Sequence, residues 1–365
     1  MSHVKSRYVV ASVTTILVVV VALAITGMHS VPEPERFAGY APSPHGPIVI
    51  NGPEDFTAPG AGFGCECVRQ GSGTQTDPYV IAGWVISAST AHGILIIGTS
   101  THFVIRDVSI YGEASVFNGM TLQHVENGRI ERSTVTGNSD GISTLSSSNL
   151  AIVNNNVTDN NVGVHLEVSH KNIVQGNNVS HNREMGIFVR GSYNRVINNT
   201  VTRNGFGGIN IDGTIPQAVF DVLSGNIVTE NGGYGVGLWV AANSVVSDNT
   251  VSGNGEYGGI ALAEMSYNNT VTRNLVLGNS GNGISVVEGS SANNIVLNRA
   301  KGNGDGASRF DLFDDGSGSG NVWANNDFGT GSPGLSALLD PADVFHSIPA
   351  VTRKSNKLRS SYAVR

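Results

Sequence analysis

The sequence is poor in charge and almost free of cysteine. Only 13% of its 365 residues are charged, against about 25% in ordinary globular proteins, and two residues are cysteine. It has 21 Lys and Arg against 28 Asp and Glu, a formal net charge of −7. Nucleic-acid binding needs a concentration of Lys and Arg, which the body of the chain lacks. The composition therefore argues against nucleic acid as a partner.

Glycine, in contrast, is abundant at 47 residues, and it recurs ahead of alternating apolar residues. Nine such glycines lie 22 to 27 residues apart: Gly93, Gly119, Gly141, Gly163, Gly186, Gly208, Gly235, Gly259 and Gly283. The repeat units are too rich in Asn, Gly, Thr and Val for helices. A period of this length in such units predicts a β-solenoid.

Each repeat unit carries two short runs in which apolar and polar residues alternate. One run follows the repeat glycine; the other centres on a valine such as Val157, with a second apolar residue such as Ile152 five positions earlier. Alternation with a period of two points the apolar residues to one face. The expected fold is all-β: a single-stranded right-handed parallel β-helix of about nine to ten coils around a narrow apolar core.

The stretch "NNNVTDN", residues 154–160, recurs with small changes in most units. Its Asn155 and Asn160 have counterparts in successive units, so each asparagine would stack on its copies at the strand spacing of about 4.8 Å. A side-chain amide can accept from one copy and donate to the next. We therefore expect these asparagines to be structural, bracing the corners of the coil.

The segment from Tyr8 to Met28 has no charged residue and is long enough to cross a hydrocarbon core of about 30 Å. Positive residues precede it, which predicts that the rest of the chain lies outside the cell. An Ala-Leu-Ala at 22–24 offers a signal-peptide cleavage site instead. We expect one N-terminal transmembrane or signal helix, hence a single-pass membrane protein with an extracellular body, or a secreted protein if the segment is cleaved.

Composition shifts divide the chain into five parts. Residues 1–28 form the membrane anchor or signal peptide, and 29–46 are a proline-rich linker. An N-terminal cap segment at 47–90 feeds the repeats at 91–332, and 333–365 form a C-terminal tail.

Covalent modification is predicted at two kinds of site. Cys65 and Cys67 are disulfide candidates, because thiols tend to oxidise in exported proteins, although an interchain pair or a soft-metal site with further ligands stays open. Four N-x-Ser/Thr sequons are candidates for glycosylation. They lie at Asn156, Asn178, Asn198 and Asn268.

The aligned units resemble the NosD-like family of right-handed β-helix repeats, within the broader group of β-helices in carbohydrate-binding proteins and sugar hydrolases. The motifs that carry the resemblance are "GIFVRGSYNRVINNTVTRN" and its copies, "GSGTQTDPYVIAGW" before them and "DLFDDGSGSGNVWANNDFGT" after them. The likeness is in particular to archaeal exported surface proteins. It implies the fold, while a copper role is implied only by the family's association with copper-site assembly.

The outward positions two and four residues after each glycine gather one group of polar and aromatic residues on adjacent coils. Its members are His165, Glu167, Phe188, Arg190, Asn210, Asp212 and Trp239. Aromatic, amide and carboxylate groups are what sugar binding needs, with Phe188, Asn210 and Trp239 as the ligand-binding candidates. A solvated ion-paired face, with Arg190 between Glu167 and Asp212, is the competing interpretation.

Four members of the group are candidates for catalysis. Glu167 and Asp212 would lie two coils apart, about 9 to 10 Å, at the upper edge of the spacing in inverting glycosidases. Alternatively, Arg190 would neutralise a uronate while His165 acts as the base of a lyase or epimerase. Without a signature for either reaction, we expect a surface scaffold with a carbohydrate-binding or adhesive role, with the polysaccharide-cleaving enzyme and copper handling as alternatives.

No metal or cofactor is expected. The run Asp311, Asp314 and Asp315 resembles a calcium loop without its spacing or closing glutamate. Six histidines raise copper as an alternative, but they occupy different slots of the repeat. They are His92, His102, His124, His165, His170 and His181.

Overall fold

Three long sheets wind around one apolar core. The computed structural model describes residues 40–57, 66–113, 116–213 and 218–336. Each coil contributes one strand to each sheet, and every strand pairs in parallel with its counterparts in the neighbouring coils, apart from one antiparallel N-terminal pair. The predicted parallel β-helix is confirmed, at about ten turns. Among the described residues the one helix is a short 3-10 turn, Pro53–Phe56.

We number the strands in chain order and the sheets I to III. Sheet I, whose strands include or follow the repeat glycine, contains β2 (Ile48–Asn51), β6 (Ile94–Thr99), β9 (Met120–Val125), β12 (Asp140–Leu145), β15 (Val162–Glu167), β18 (Met185–Arg190), β21 (Gly207–Asp212), β24 (Tyr234–Trp239), β27 (Gly258–Ala263), β30 (Ile284–Val286) and β33 (Leu312–Asp314).

Sheet II comes next in each coil. It contains β3 (Val68–Gln70), β4 (Tyr79–Ala82), β7 (Phe103–Arg106), β10 (Gly128–Glu131), β13 (Ala151–Val153), β16 (Ile173–Gln175), β19 (Arg195–Ile197), β22 (Val222–Ser224), β25 (Val245–Ser247), β28 (Thr270–Thr272), β31 (Asn294–Val296) and β34 (Val322–Ala324).

Sheet III closes the coil. It contains β1 (Ser43–His45), β5 (Trp84–Ser87), β8 (Ser109–Tyr111), β11 (Thr134–Thr136), β14 (Asn156–Thr158), β17 (Asn178–Ser180), β20 (Thr200–Thr202), β23 (Ile227–Thr229), β26 (Thr250–Ser252), β29 (Leu275–Leu277), β32 (Arg299–Lys301) and β35 (Asp327–Phe328).

The parallel pairing begins earlier than the repeats visible in the sequence. β1 pairs with β5 and β2 with β6, so the stretch expected to be linker and cap already contributes strands to the coil. Within the described ranges, no helix is long and apolar enough to cross a membrane. The predicted membrane or signal segment, Tyr8 to Met28, lies outside those ranges.

A tight packing of glycine, valine and asparagine explains why the three recur together. A Cβ on Gly163 would stand 2.4 Å from Cγ1 of Val179, 2.5 Å from the carbonyl oxygen of Gly186 and 2.8 Å from Nδ2 of Asn182. The equivalent valine is fully buried in every coil from Val135 to Val276. Because a side chain at the glycine would collide with the core and the next coil, this position requires glycine.

The asparagines form ladders that run from coil to coil, as predicted. Nδ2 of Asn177 donates to Oδ1 of Asn199 at 2.9 Å and to the carbonyl oxygen of Ile152 at 2.9 Å. Its own Oδ1 accepts from the backbone N of Asn155 at 2.8 Å and from that residue's Nδ2 at 3.0 Å. Each amide thus satisfies backbone groups at a buried corner where strand pairing cannot.

The structure shows three ladders, one more than the sequence predicted. The first is Asn155, Asn177, Asn199, Asn226, Asn249, Asn274, Asn298 and Asn326. The second is Asn138, Asn160, Asn182, Asn204, Asn231, Asn254, Asn279 and Asn303. The third is Asn172, Asn194, Asp221, Ser244, Asn269, Asn293 and Asn321.

Five of the seven residues of "NNNVTDN" have a structural reason. Asn154 and Asp159 have φ of 56° and 59°, the left-handed conformation that Asn and Asp tolerate better than most residues. Asn155 and Asn160 follow them as ladder members, and Val157 between the two turns is fully buried. The motif is therefore two tight turns around one core residue.

Asp221 is the acidic member of the third ladder. It is 1% exposed; its Oδ1 accepts from the backbone N of Asn194 at 2.7 Å, and its Oδ2 is buried without a hydrogen-bond partner. Burial raises the pKa of this carboxyl to about 8, against the lowering effect of the hydrogen bonds from Asn194. A protonated carboxyl has a donor where the asparagines have Nδ2, so it fits the ladder better than a carboxylate.

The first prediction concerns a ladder amide. Asn177→Ala leaves the partners of that amide unsatisfied at a buried corner, so the free energy of unfolding should fall by about 2–4 kcal/mol in urea denaturation of unglycosylated protein. The matched control is Asn178→Ala, whose exposed amide only bridges to Asn156, with an expected change below about 0.5 kcal/mol. Equal losses in the two variants would contradict the ladder's structural role.

The second prediction concerns Asp221. Its pKa in the folded protein, about 8, lies above the value of about 3.9 for an unfolded Asp, so the folded state binds the proton more tightly. Protonated Asp221 therefore contributes its full share of the stability below about pH 4. Above that pH the free energy of unfolding falls by about 1.4 kcal/mol per pH unit, up to about pH 8. Asp221→Asn should flatten this decline in denaturation curves measured from pH 4 to 9. An unchanged slope would mean that Asp221 is ionised in the fold.

Candidate functional site

The predicted outward residues lie on one face of sheet I. His165, Phe188 and Asn210 are cross-strand neighbours in one row, which continues to Gly237. Glu167 faces Arg190 in a second row. Asp212, two coils beyond Glu167, faces Trp239 on the next strand. The sequence register therefore places all seven residues together on the consecutive strands β15, β18, β21 and β24.

A continuous chain of charged side chains crosses this face, and we call it the ion chain: Asp140, His165, Glu167, Arg190 and Asp212. His165 Nδ1 lies 3.0 Å from an oxygen of Asp140, and its Nε2 lies 3.3 Å from Oε2 of Glu167. Arg190 Nη1 donates to Oε1 of Glu167 at 3.0 Å, and its Nη2 donates to Oδ2 of Asp212 at 3.0 Å. The cross-strand pairing of Arg190 with both carboxylates is thus as the sequence predicted.

His165 holds its proton more tightly than an ordinary histidine. Burial lowers its pKa, but the hydrogen bond and charge of Asp140, followed by those of Glu167, outweigh burial and leave the pKa raised. Both ring nitrogens face carboxylate oxygens, which suits the doubly protonated ring. The ion chain therefore alternates in charge when His165 is protonated.

Arg190 fills the gap between the two carboxylates proposed for catalysis. Burial lowers its pKa, but the hydrogen bonds that it donates to Asp212 and Glu167 outweigh burial, so the guanidinium pKa is raised. An inverting glycosidase leaves that gap for a water, and here one guanidinium binds both Glu167 and Asp212. The arrangement resembles a structural ion pair more than an acid–base pair.

The structure adds three aromatic residues, not predicted from the sequence, to the predicted Trp239. We call the group the aromatic strip: Phe206, Tyr234, Trp239 and Tyr257. Ring centroids lie 5.4 Å apart for Phe206 and Tyr234, 5.6 Å for Phe206 and Tyr257, and 4.7 Å for Tyr234 and Trp239. Phe206 and Tyr257 are exposed, whereas Tyr234 is buried beneath them. The sequence signal that could have revealed it is the position just before the repeat glycine, which also points outward. Tyr234 occupies this position and pairs across the strands with Gly207.

Two glycines at outward positions make room for the aromatic strip. A Cβ on Gly237 would stand 1.4 Å from Cζ3 of Trp239, and one on Gly207 would stand 2.6 Å from Cζ of Tyr234. The rings therefore occupy the volume that side chains would fill on an ordinary sheet. Burial, together with the charge of Asp212, raises the pKa of Tyr234, so its phenol stays protonated.

Phe188 and Asn210 lie in the row of sheet I that runs from His165 of the ion chain to Gly237 beneath the Trp239 ring. The Phe188 ring meets His165 edge-on at 5.0 Å and lies 5.3 Å from the Arg190 guanidinium carbon. Asn210 is 6% exposed, and its Oδ1 is buried without a hydrogen-bond donor. Such orphaned acceptors are rare in folded proteins and mark this part of the face as unusual.

The modification candidates lie away from sheet I. Cys67 is fully buried and disulfide-bonded, while Cys65 lies outside the described residues, so their pairing stays a prediction. The sequon asparagines sit on strands and turns of the other faces. Asn178, Asn198 and Asn268 are exposed and Asn156 is half-buried. Glycosylation at these positions stays a prediction.

The aspartates of the last coil bind protein donors. Asp311 ends the second ladder by accepting from Nδ2 of Asn303 at 2.9 Å, and its other oxygen accepts from the backbone N of Thr330 at 2.9 Å. Asp314 accepts from Nε1 of Trp323 at 2.9 Å, and Asp315 from the backbone N of Ser317 at 2.8 Å. These contacts explain the aspartates as ladder and turn residues that close the coil.

Comparison with known proteins supports the fold. Residues 64–221 match the family model described as periplasmic copper-binding protein (NosD), and residues 186–328 match that of the right-handed beta helix region. The resemblance that the repeat motifs indicated is thus confirmed. No curated protein matches the sequence.

Similar solved structures include two mannuronan C-5 epimerase A-modules of Azotobacter vinelandii. The AlgE4 module has a TM-score of 0.55 at 16% identity, over 68% of this chain and 80% of the module. The AlgE6 module has a TM-score of 0.54 at 14% identity, over 69% and 81%. A mutant of the periplasmic alginate epimerase AlgG has 0.52 at 16%, over 68% and 78%. At these identities the likeness shows the fold alone.

Copper, which the description of the NosD model names, does not fit the residues that the structure describes. In the described ranges, no group of three or more His, Cys, Asp and Glu side chains is placed to hold a metal ion. The Cys67 sulfur is in a disulfide, and Nδ1 of both His92 and His170 accepts from a backbone amide of the next coil. The ring nitrogens of His165 face carboxylates.

The third prediction tests the ion chain. Asp140→Asn removes the strongest influence that raises the pKa of His165, so that pKa should fall when the imidazole resonances are followed in an NMR titration. Glu167→Gln should lower it by less, since Glu167 contributes less. A pKa unchanged in both variants would show that His165 does not bind these carboxylates in solution.

Proposed function

We propose that this right-handed parallel β-helix is an extracellular surface protein that binds a polysaccharide along sheet I, across strands β15 to β24. The observation that carries the proposal is the aromatic strip lying beside the ion chain, with the Trp239 ring held over Gly237. Aromatic faces beside fixed hydrogen-bonding groups are the usual composition of carbohydrate sites. Because the coils repeat, the face extends over several adjacent strands, so more than one sugar unit of a polysaccharide can contact it.

The chemistry of the face suits a sugar chain. The apolar C–H face of a pyranose can pack on Trp239 or Phe206, and its hydroxyls can donate to the carboxylates of Glu167 and Asp212. These groups sit on strands whose register the ladders hold, so the protein loses little conformational freedom when a ligand binds. The epimerases of similar fold act, by their names, on mannuronan and alginate, which adds weight to a glycan as the partner.

Two features support export. Cys67 is disulfide-bonded, and disulfides persist in oxidising compartments outside the cytosol. The uncharged segment from Tyr8 to Met28 would direct export, as an anchor or as a signal peptide. A protein held at the membrane by that segment would present sheet I to surface glycans.

A polysaccharide-modifying enzyme is the second candidate, and His165 is the residue that favours it. The two carboxylates beside it raise its pKa and favour the protonated ring, which would suit a general acid rather than the base predicted from the sequence. A lyase or epimerase would also need a cation to neutralise the uronate, and both Nη atoms of Arg190 are already bound to Glu167 and Asp212. Binding without turnover is therefore the better-supported function.

The fourth prediction tests the binding face. Trp239→Ala should weaken glycan binding roughly tenfold, the equivalent of about 1.4 kcal/mol, because the stacking surface is lost. Gly237→Ala should weaken it similarly, since a Cβ there collides with the Trp239 ring. The measurement is isothermal titration of the purified ectodomain with glycans that bind in an array.

The control for these variants is an exposed aromatic residue elsewhere. Tyr193 is 51% exposed and stacks on Phe220 at 5.2 Å, at the turn between sheets I and II, and Tyr193→Ala should leave binding unchanged. Loss of binding in the control but not in Trp239→Ala would overturn the assignment to sheet I. Release of cleaved or epimerised product, abolished by His165→Ala, would favour the enzyme instead.

A further inference from the structure

We infer that the binding face of sheet I takes uncharged polysaccharides and excludes polyuronates. The inference rests on the proposed function and adds the chemical class of the ligand. It follows from the charge of the face and from the bonding of its one strong cation. The proteins of similar fold whose names mention mannuronan or alginate act on polyuronates, so this chain would differ from them in ligand charge.

The charges on the face do not attract a polyanion. The ion chain contains three carboxylates, on Asp140, Glu167 and Asp212, and two cationic groups, on Arg190 and His165. Its net charge is therefore negative even when His165 is protonated. In the eleven strands of sheet I that the structure describes, Arg190 is the only Lys or Arg. A row of uronate carboxylates laid along these strands would meet like charge.

Arg190 is already bound to two carboxylates, so a uronate would compete with them for its positive charge. Nη1 lies 3.0 and 3.2 Å from the two oxygens of Glu167, Nη2 lies 3.0 Å from Asp212, and Nε is buried. The three side chains are each about 16% to 29% exposed, so their attraction is only partly screened by water. A uronate would have to displace one of these carboxylates from the guanidinium.

An uncharged chain meets no such obstacle. Hydroxyl groups can donate to the outer lone pairs of Glu167 and Asp212 while Arg190 stays paired. The partly exposed rings of Trp239, Phe206 and Tyr257 offer apolar faces to pyranose C–H groups. From β15 to β27 the face spans four strand spacings, or about 19 Å, which suits several sugar units in a row.

The test compares ligands of equal length and different charge. Titration calorimetry of the ectodomain uses neutral hexasaccharides of glucose, mannose and N-acetylglucosamine against hexamers of mannuronate and galacturonate. We expect at least one neutral chain to bind with little dependence on salt, and each uronate hexamer to bind at least roughly tenfold more weakly than that chain. Tighter binding of a uronate hexamer than of every neutral chain would overturn the inference and leave polysaccharide binding intact.

A double variant tests the physical cause. Glu167→Gln with Asp212→Asn removes two carboxylates and frees Arg190, so the ratio of uronate to neutral affinity should rise at least roughly tenfold, or about 1.4 kcal/mol. Adding Arg190→Met should abolish that gain, and thermal melts confirm that the variants are folded. A ratio unchanged in the folded double variant would overturn the inference. Failure of every glycan to bind the wild type would overturn the proposed function as well.

Discussion

The amide ladders at the corners hold each coil to the next, and the rest of the structure depends on the register that they fix. A parallel coil leaves backbone groups at its turns that strand pairing does not satisfy, and a buried unsatisfied group costs about 1–3 kcal/mol. Asparagine meets this need because one side chain both donates and accepts. The repeat glycine lets the ladder approach, since any Cβ there would collide with the ladder amide and the core valine.

Because the ladders and the core use the inward and corner positions, the outward positions of sheet I are free to vary. In the coils from β12 to β24 they hold the ion chain and the main part of the aromatic strip, with glycine at positions 207 and 237, where a Cβ would collide with a ring. These departures from the repeat are concentrated on the face that we propose binds a glycan.

The fold was predictable from the sequence because one spacing, repeated many times, constrains it. The row of His165, Phe188 and Asn210 was predictable for the same reason. Trp239 of the aromatic strip was also predicted, but Tyr234 was not, because it precedes the repeat glycine and so lies outside the alternating run that was used to assign outward positions. The third ladder was hidden because Asp221 and Ser244 interrupt its asparagines, although they keep its hydrogen bonds. The pairing of Arg190 with two carboxylates followed from the register, whereas the contact of His165 with Asp140 depends on rotamers that spacing does not determine.

We propose that a coil built on asparagine ladders presents one glycan-binding face on sheet I. The decisive measurement is a crystal structure of the ectodomain with a bound neutral hexasaccharide. We expect the sugar chain to lie along strands β15 to β24, with a pyranose packed on Trp239 and hydroxyls on Glu167 or Asp212. A chain bound on sheet II or III, or at the Tyr193 turn, with sheet I bare, would contradict it.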